Sequence, residues 1–326
     1  MIRTLNLIFL FFLFCHAVYA GEYQKADAVA LKTKGIAEPA LLSRKLTASL
    51  NSDREKARAI FRWLTENIAY DTEQYHTPDS LKINVAIFST SLQDPKKESY
   101  EMLMAKEVIK RGKAICSGYA NLYKVLCDSA GLKCEVVNGK AKNSVNDVGR
   151  PMDINHAWNV IWLDKKWNIV DATWAAGSCD SSVRTFTRSF CEAWWLPNPS
   201  KAAFSHYPAD PKFALCKLPA ETDFYSYPQV HTGFLTAGIS SFSPQKGAIE
   251  ARPGSKVMIE LRLPVTGTYV SANTNTGNDQ LVKKREEKIV SYEYTVTSDK
   301  DDELIIYHEG EAILSYRLYS TPAPQP

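Results

Sequence analysis

The strongest constraint in this 326-residue chain is a change of hydrophobic period partway along it. In "SDREKARAIFRWLTENIAYD", Ala57, Ile60, Phe61, Leu64 and Ile68 recur every three to four residues, the repeat of one helix face. Ser52 and Glu55 stand before it at capping-box spacing. Beyond about Gly233 the repeat becomes two. Val257, Ile259, Leu261 and Leu263 alternate with other residues, as do Val290, Tyr292, Tyr294 and Val296, and then Ala312, Leu314, Tyr316 and Leu318. Each period needs its own kind of layer. A helix-containing α+β region followed by an antiparallel β-sandwich is therefore expected.

The first region carries further helix signals. Leu42, Leu46 and Leu50 share one face, "SYEMLMAKEVIKR" reads as a short helix, and Tyr119, Leu122, Leu126 and Ala130 repeat at helical spacing up to Gly131, a left-handed stop. Then "KCEVVNGKAK", "AWNVIWL" and "KWNIVDATW" read as strands, the last two joined by "DKK" as a hairpin. Thr72 to about Lys97 contains Pro78 and Pro95 and reads as a long surface loop.

The chain opens with "MIRTLNLIFLFFLFCHAVYAGEY": one arginine, an apolar run from Leu7 to Phe14, and small residues before Gly21. That is the plan of a secretory signal, too short to span a bilayer. The expected organisation is a signal peptide at 1–20, an α+β domain at 21–216, a β-sandwich at 217–320 and a disordered tail at 321–326. Export to a secreted or periplasmic location follows. A formal net charge of +3 argues against nucleic acid as a partner, and no membrane association is expected once the signal is removed. Six cysteines remain after Cys15 leaves, with no CxxC pair, so neither a metal site nor any other cofactor is expected.

Chemistry points to three residues. A free thiol has a pKa of about 8.5 and needs help to act as a nucleophile. Cys116 falls at the start of a predicted helix, where the dipole favours negative charge. His156, at the head of a strand, is placed to take its proton, and Asp171, near the end of the partner strand, to orient the imidazole. The competing reading of an isolated cysteine is a small buried hydrophobe.

The words around these residues, "GKAICSGYANLYKVLC", "HAWNVIWLDKKWNIVDATW" and "ARAIFRWLTENIAYD", resemble the transglutaminase-like superfamily. In its pattern the catalytic cysteine precedes a "GYA" helix, the histidine begins "H-x-W" and the aspartate begins "DATW"; Cys116, His156 and Asp171 match these places. "DATWAAG" and "AWWLPNPSKAAFSHYPADPKFALC" further resemble the branch that includes the kyphoscoliosis peptidase and certain fungal cytokinesis proteins, with Phe213 where that branch has tryptophan.

The resemblance implies a papain-like core. It also implies a cysteine enzyme acting on peptide or carboxamide bonds through a Cys-His-Asp triad and a thioester, with peptidase or amidase activity favoured. Protein transglutaminase or acyltransferase activity is one alternative. A weakly active or inactive adaptor binding a partner protein or wall polymer is another, since some relatives lack the cysteine. The expected partner is a protein or peptide substrate, with cell-envelope material included.

Other residues read more plainly. His206 is expected to pack in a loop. Tyr70 and Asp71 either line the cleft or serve as cap and core contact. Trp158, Trp162, Trp167 and Trp174 are expected in the core, Asn159 to serve the backbone, and Cys127 and Cys134 to be buried. Cys179 and Cys191 are a candidate disulfide. Mass spectrometry of the exported protein should find an N-terminus close to Gly21; an intact Met1 would refute the signal-peptide reading.

Overall fold

The computed structural model describes residues 22–77, 99–264, 269–274, 281–296 and 302–319. The signal-peptide and tail expectations, and most of the expected surface loop at 72–97, fall outside these residues. By contact density the chain forms two compact units: residues 1–136 with 157–195, and residues 137–156 with 196–326.

The first unit begins with α1 (Gln24–Lys32), α2 (Pro39–Thr47) and α3 (Asp53–Asn67). The capping box forms at α3: the Glu55 N–H donates to Ser52 Oγ at 3.1 Å, and the Ser52 N–H donates to Glu55 Oε2 at 3.0 Å. The apolar faces expected from the sequence are buried, with Leu42, Leu46, Ile60, Phe61 and Leu64 sealed from solvent. Each such side chain contributes about 1.5–3 kcal/mol through burial.

One member of α3 was not expected inside. Arg58 is fully buried; it donates to Asp27 of α1 at 2.7 and 2.8 Å and to Glu192 at 2.7 Å. Its guanidinium also lies 4.8 Å from the Tyr23 ring centroid and 5.6 Å from that of Trp195. Burial penalises the cation, but the bonds to Asp27 and Glu192 outweigh it and hold the pKa above its ordinary value. A planar fork that stacks on rings while pairing two carboxylates is a role lysine cannot fill.

After α3 come β1 (Ala69–Tyr70), α4 (Thr72–His76), α5 (Tyr100–Arg111), β2 (Lys113–Ala114) and α6 (Cys116–Ser129). The short helix α4 occupies the start of the stretch read as loop, because Asp71 caps it by accepting from the Gln74 N–H at 3.1 Å. Helix α6 ends as expected: Gly131 has φ +75°, and the Leu132 N–H returns to the Cys127 carbonyl at 2.9 Å.

Strands β3 (Cys134–Ala141), β4 (His156–Leu163) and β5 (Lys166–Val170) follow. After α7 (Ala172–Ala176) come β6 (Gly177–Cys179), β7 (Phe186–Arg188), α8 (Pro199–Ala202) and β8 (His206–Pro208). The principal sheet has the order β5-β4-β3-β8. The β4–β5 turn is Asp164–Lys165, both at positive φ (51° and 62°), the left-handed pair that a two-residue hairpin loop requires.

The second unit holds the sandwich. One sheet has the order β10 (Ser241–Ser243), β12 (Lys256–Arg262), β15 (Ile289–Thr295), β14 (Leu281–Glu286). The other has β11 (Ala248–Glu250), β17 (Glu311–Tyr319), β16 (Asp302–His308), β13 (Val270–Thr274), with β9 (Gln229–Val230) beside β17. Burial alternates strictly along β12 and β15, and Ile259, Leu261 and Tyr292 share one core with Ile306, Leu314 and Tyr316 of the opposite sheet. The β11–β17 pair is parallel, the exception to the expected antiparallel pattern. Among the described residues no helix is long and apolar enough to cross a membrane.

Replacing Arg58 by alanine should lower the unfolding free energy by about 3 kcal/mol, the low end for breaking a buried ion pair. The lower end applies because the Asp27 and Glu192 side chains are 26% and 44% exposed and can rehydrate. Urea denaturation gives the value; a change within about 0.5 kcal/mol, as at an ordinary surface site, would contradict the network's importance.

Candidate functional site

The site is built first on the two-residue parallel pair β1–β2. The Ala69 N–H donates to Gly112 O at 2.8 Å, and the Asp71 N–H donates to Ala114 O at 3.0 Å. Asp71 is fully buried and pairs with Arg111 and, at 3.3 Å, with Lys113. This anchors β2, and the chain turns at Ile115 straight into α6. A Cβ on Gly118 would lie 2.7 Å from Ala114 Cβ and 3.2 Å from Val108 Cγ2. The first turn of α6 can press on β2 only because position 118 is glycine and position 114 is small.

Cys116 is the first residue of α6 and is half-buried. N–H groups of a first helical turn have no acceptor within the helix, and the dipole favours an anion there. The other thiols near this helix are different. Cys127 and Cys134 are sealed, and burial together with the adjacent Cys127 thiol pushes the Cys134 thiol well up. Buried thiols of that kind are inert.

Tyr70 is paired in register with Ala114, two residues before Cys116. Its phenol is raised above its ordinary pKa by burial, then by the nearby charges of Cys116 and Cys179. Tyr75 of α4, 46% exposed, packs on Tyr70 with ring centroids 6.2 Å apart. Tyr70 therefore borders Cys116, whereas Asp71 serves as helix cap and buried ion-pair partner.

Asp171 is fully buried and caps α7. Its Oδ1 accepts from the Trp174 N–H at 2.9 Å, and its own N–H donates to Trp194 O at 3.2 Å. The "DATW" word is thus a capped turn that immobilises the carboxylate. His156 opens β4 and is also buried. The β4–β5 ladder ends at Asn159 opposite Val170, one residue before Asp171.

His156 and His206 are both buried, and their rings pack edge to face with centroids 5.3 Å apart. Asn159 serves the backbone as expected, donating to Ala120 O at 3.0 Å and Glu135 O at 3.3 Å, which ties β4 to α6 and β3.

Three expectations change. His206 is not in a loop: "HYP" forms β8, pairing with Gly139–Ala141, and the His206 ring packs against His156. A three-residue edge strand broken by proline offers too little periodicity to read. Trp162 is 41% exposed; its ring packs edge to face on Trp167, with Lys133 lying over both rings at 5.6 and 5.1 Å. Cys179 and Cys191 are not joined in a disulfide.

Comparison with known proteins gives a family match. The model of the transglutaminase-like superfamily matches residues 40–172. The chain is 25% identical over 308 residues to the kyphoscoliosis peptidase of Mus musculus, a match covering 91% of this chain and 43% of that protein. It is 25% identical over 240 residues to the Lim and transglutaminase domain protein ltd-1 of Caenorhabditis elegans, covering 69% and 30%. It is 30% identical over 113 residues to cytokinesis protein 3 of Schizosaccharomyces pombe, covering 34% and 12%. The chain spans less than half the length of these relatives.

The close approach at position 118 can be tested without a substrate. Gly118→Ala should cost about 1–3 kcal/mol, the range for overpacking. Adding Ala114→Gly should return most of it, because it removes the atom the new methyl meets. Thermal melts of the two single variants and the double variant measure the coupling; simple additivity would show that the two positions do not press on each other.

Proposed function

Since the chain belongs to the transglutaminase-like superfamily, we propose that it is a cysteine peptidase or amidase, exported, acting on peptide or carboxamide bonds through Cys116, His156 and Asp171. The observation that carries the reading is the contrast among the cysteines: Cys116 alone heads helix α6, half-buried, while Cys127 farther along that helix is sealed.

In the proposed reaction His156 accepts the Cys116 proton, and the thiolate attacks the carbonyl carbon. The backbone N–H of Cys116 would donate to the developing oxyanion. As the C–N bond breaks, His156 gives its proton to the leaving amine, and a thioester remains on Cys116. Water then adds to the thioester, its proton passing to His156. The C–S bond breaks, the acid product leaves, and the proton returns to the thiol. Asp171 orients the imidazole and stabilises its cationic form. An amine in place of water would make the same thioester step a transamidation.

An electrophilic peptide library should label Cys116, and substrates designed from the labelled sequences should be cleaved. Cys116→Ala should abolish turnover and His156→Ala should cost nearly as much. Asp171→Asn, which retains the Oδ1 acceptor for the Trp174 N–H, should cost about 10²–10⁴-fold in kcat. Rapid labelling without cleavage, but with amine incorporation, would shift the reading to transglutaminase. A Cys116 no faster with iodoacetamide than a free thiol would replace the enzyme reading with an adaptor.

A further inference from the structure

We propose that His206 is a positioning residue for the proposed base His156: its ring is the wall that fixes the orientation of the His156 imidazole. The inference rests on the catalytic reading of His156, which the family pattern suggests.

The two rings are held in an edge-to-face contact, centroids 5.3 Å apart at 71°, and both residues are buried. They reach each other across an intervening strand. Ala141 of β3 stands directly opposite His206 of β8. On its other side, Ala141 is gripped by Asn155, the residue before His156. Asn155 Oδ1 accepts from the Ala141 N–H at 2.8 Å, and Asn155 Nδ2 donates to Ala141 O at 3.0 Å.

The main chain of Ala141 is therefore committed to Asn155, and the ladder bonds to β8 pass through its neighbours, as in Lys142 N–H to Ser205 O at 3.1 Å. Ala141 and His206 form a non-hydrogen-bonded pair, the type whose side chains approach most closely. A methyl at position 141 leaves room above β3 for the imidazoles to meet; a larger side chain would stand between them.

His206 is itself locked. Ser205 is fully buried, and its hydroxyl donates to Ala202 O at 3.1 Å. Its oxygen also lies 2.9 Å from His206 Nδ1, within hydrogen-bond distance. A buried histidine pinned at one edge is a rigid surface against which a second imidazole can be aligned.

The test compares two replacements of His206 in the full chain. His206→Ala removes the wall, and kcat on the best cleaved peptide should fall about 10²-fold, the usual cost of misplacing a catalytic group by about 1 Å. KM should stay within about 3-fold, the split expected of a residue that acts through His156 and not through substrate binding. His206→Phe restores an aromatic face without the Ser205 bond and should recover kcat to within about 10-fold of the parent. Thermal melts establish that each variant is folded.

A second readout needs no turnover: the His156 ring signals in heteronuclear NMR should show one tautomer in the parent and in His206→Phe, and averaging in His206→Ala. Unchanged kcat in folded His206→Ala, or a phenylalanine variant no better than alanine, would overturn the proposal. If the parent cleaves nothing, the enzyme reading fails on its own; unaltered NMR signals in His206→Ala would then overturn the positioning claim separately.

Discussion

The position of Cys116 depends on the approach of one helix to one short strand. Cys116 has its place because α6 begins immediately after β2, and α6 can begin there because Gly118 carries no Cβ to meet Ala114. The strand in turn is anchored by Asp71, whose carboxylate takes the cations of Arg111 and Lys113 while its main chain bonds to Ala114. Removing any of these contacts would loosen the turn at Ile115, which sets the direction in which the first helical N–H groups point. A half-buried thiol at such a turn is in an electrostatic setting that sealed Cys127 lacks.

The β4–β5 hairpin solves a different problem, that of holding two polar side chains inside a sheet. Asp171 ends the hairpin as a helix cap, so a buried carboxylate has a main-chain donor from the Trp174 N–H. His156 begins the hairpin, preceded by an asparagine that fastens the strand to β3 through both of its amide atoms. Neither residue depends on a flexible loop. Rigid elements lower the entropy cost of ordering the groups proposed for catalysis.

Much of this was legible because it rests on local rules. The capping box at Ser52 and Glu55, the apolar face of α3, the Gly131 stop and the period-two strands each follow from spacing alone. The helix start at Cys116 was legible too, since a helix start is local in sequence, whereas the words around His156 and Asp171 were read through the family resemblance. The parts that could not be read are those whose partners are distant. Arg58 looks like any exposed helical arginine until Asp27 and Glu192 close on it from either side along the chain. His206 looks like a loop residue until a three-residue strand pairs with Ala141.

The two unread residues share a physical cause. Both are polar groups brought inside by long-range pairing, where no period predicts burial, and both are satisfied by more than one neighbour. Arg58 has two carboxylates and a set of rings, and its burial holds α1 and α3 to the segment carrying Glu192. His206 has a serine hydroxyl on one nitrogen and an imidazole against its ring. A buried polar group left unmatched costs about 1–3 kcal/mol, so each of these positions specifies its partners as strictly as an apolar core position specifies shape. In Arg58 that specificity maintains the helical layer. In His206 it bears directly on the residue that the chemistry would use as its base.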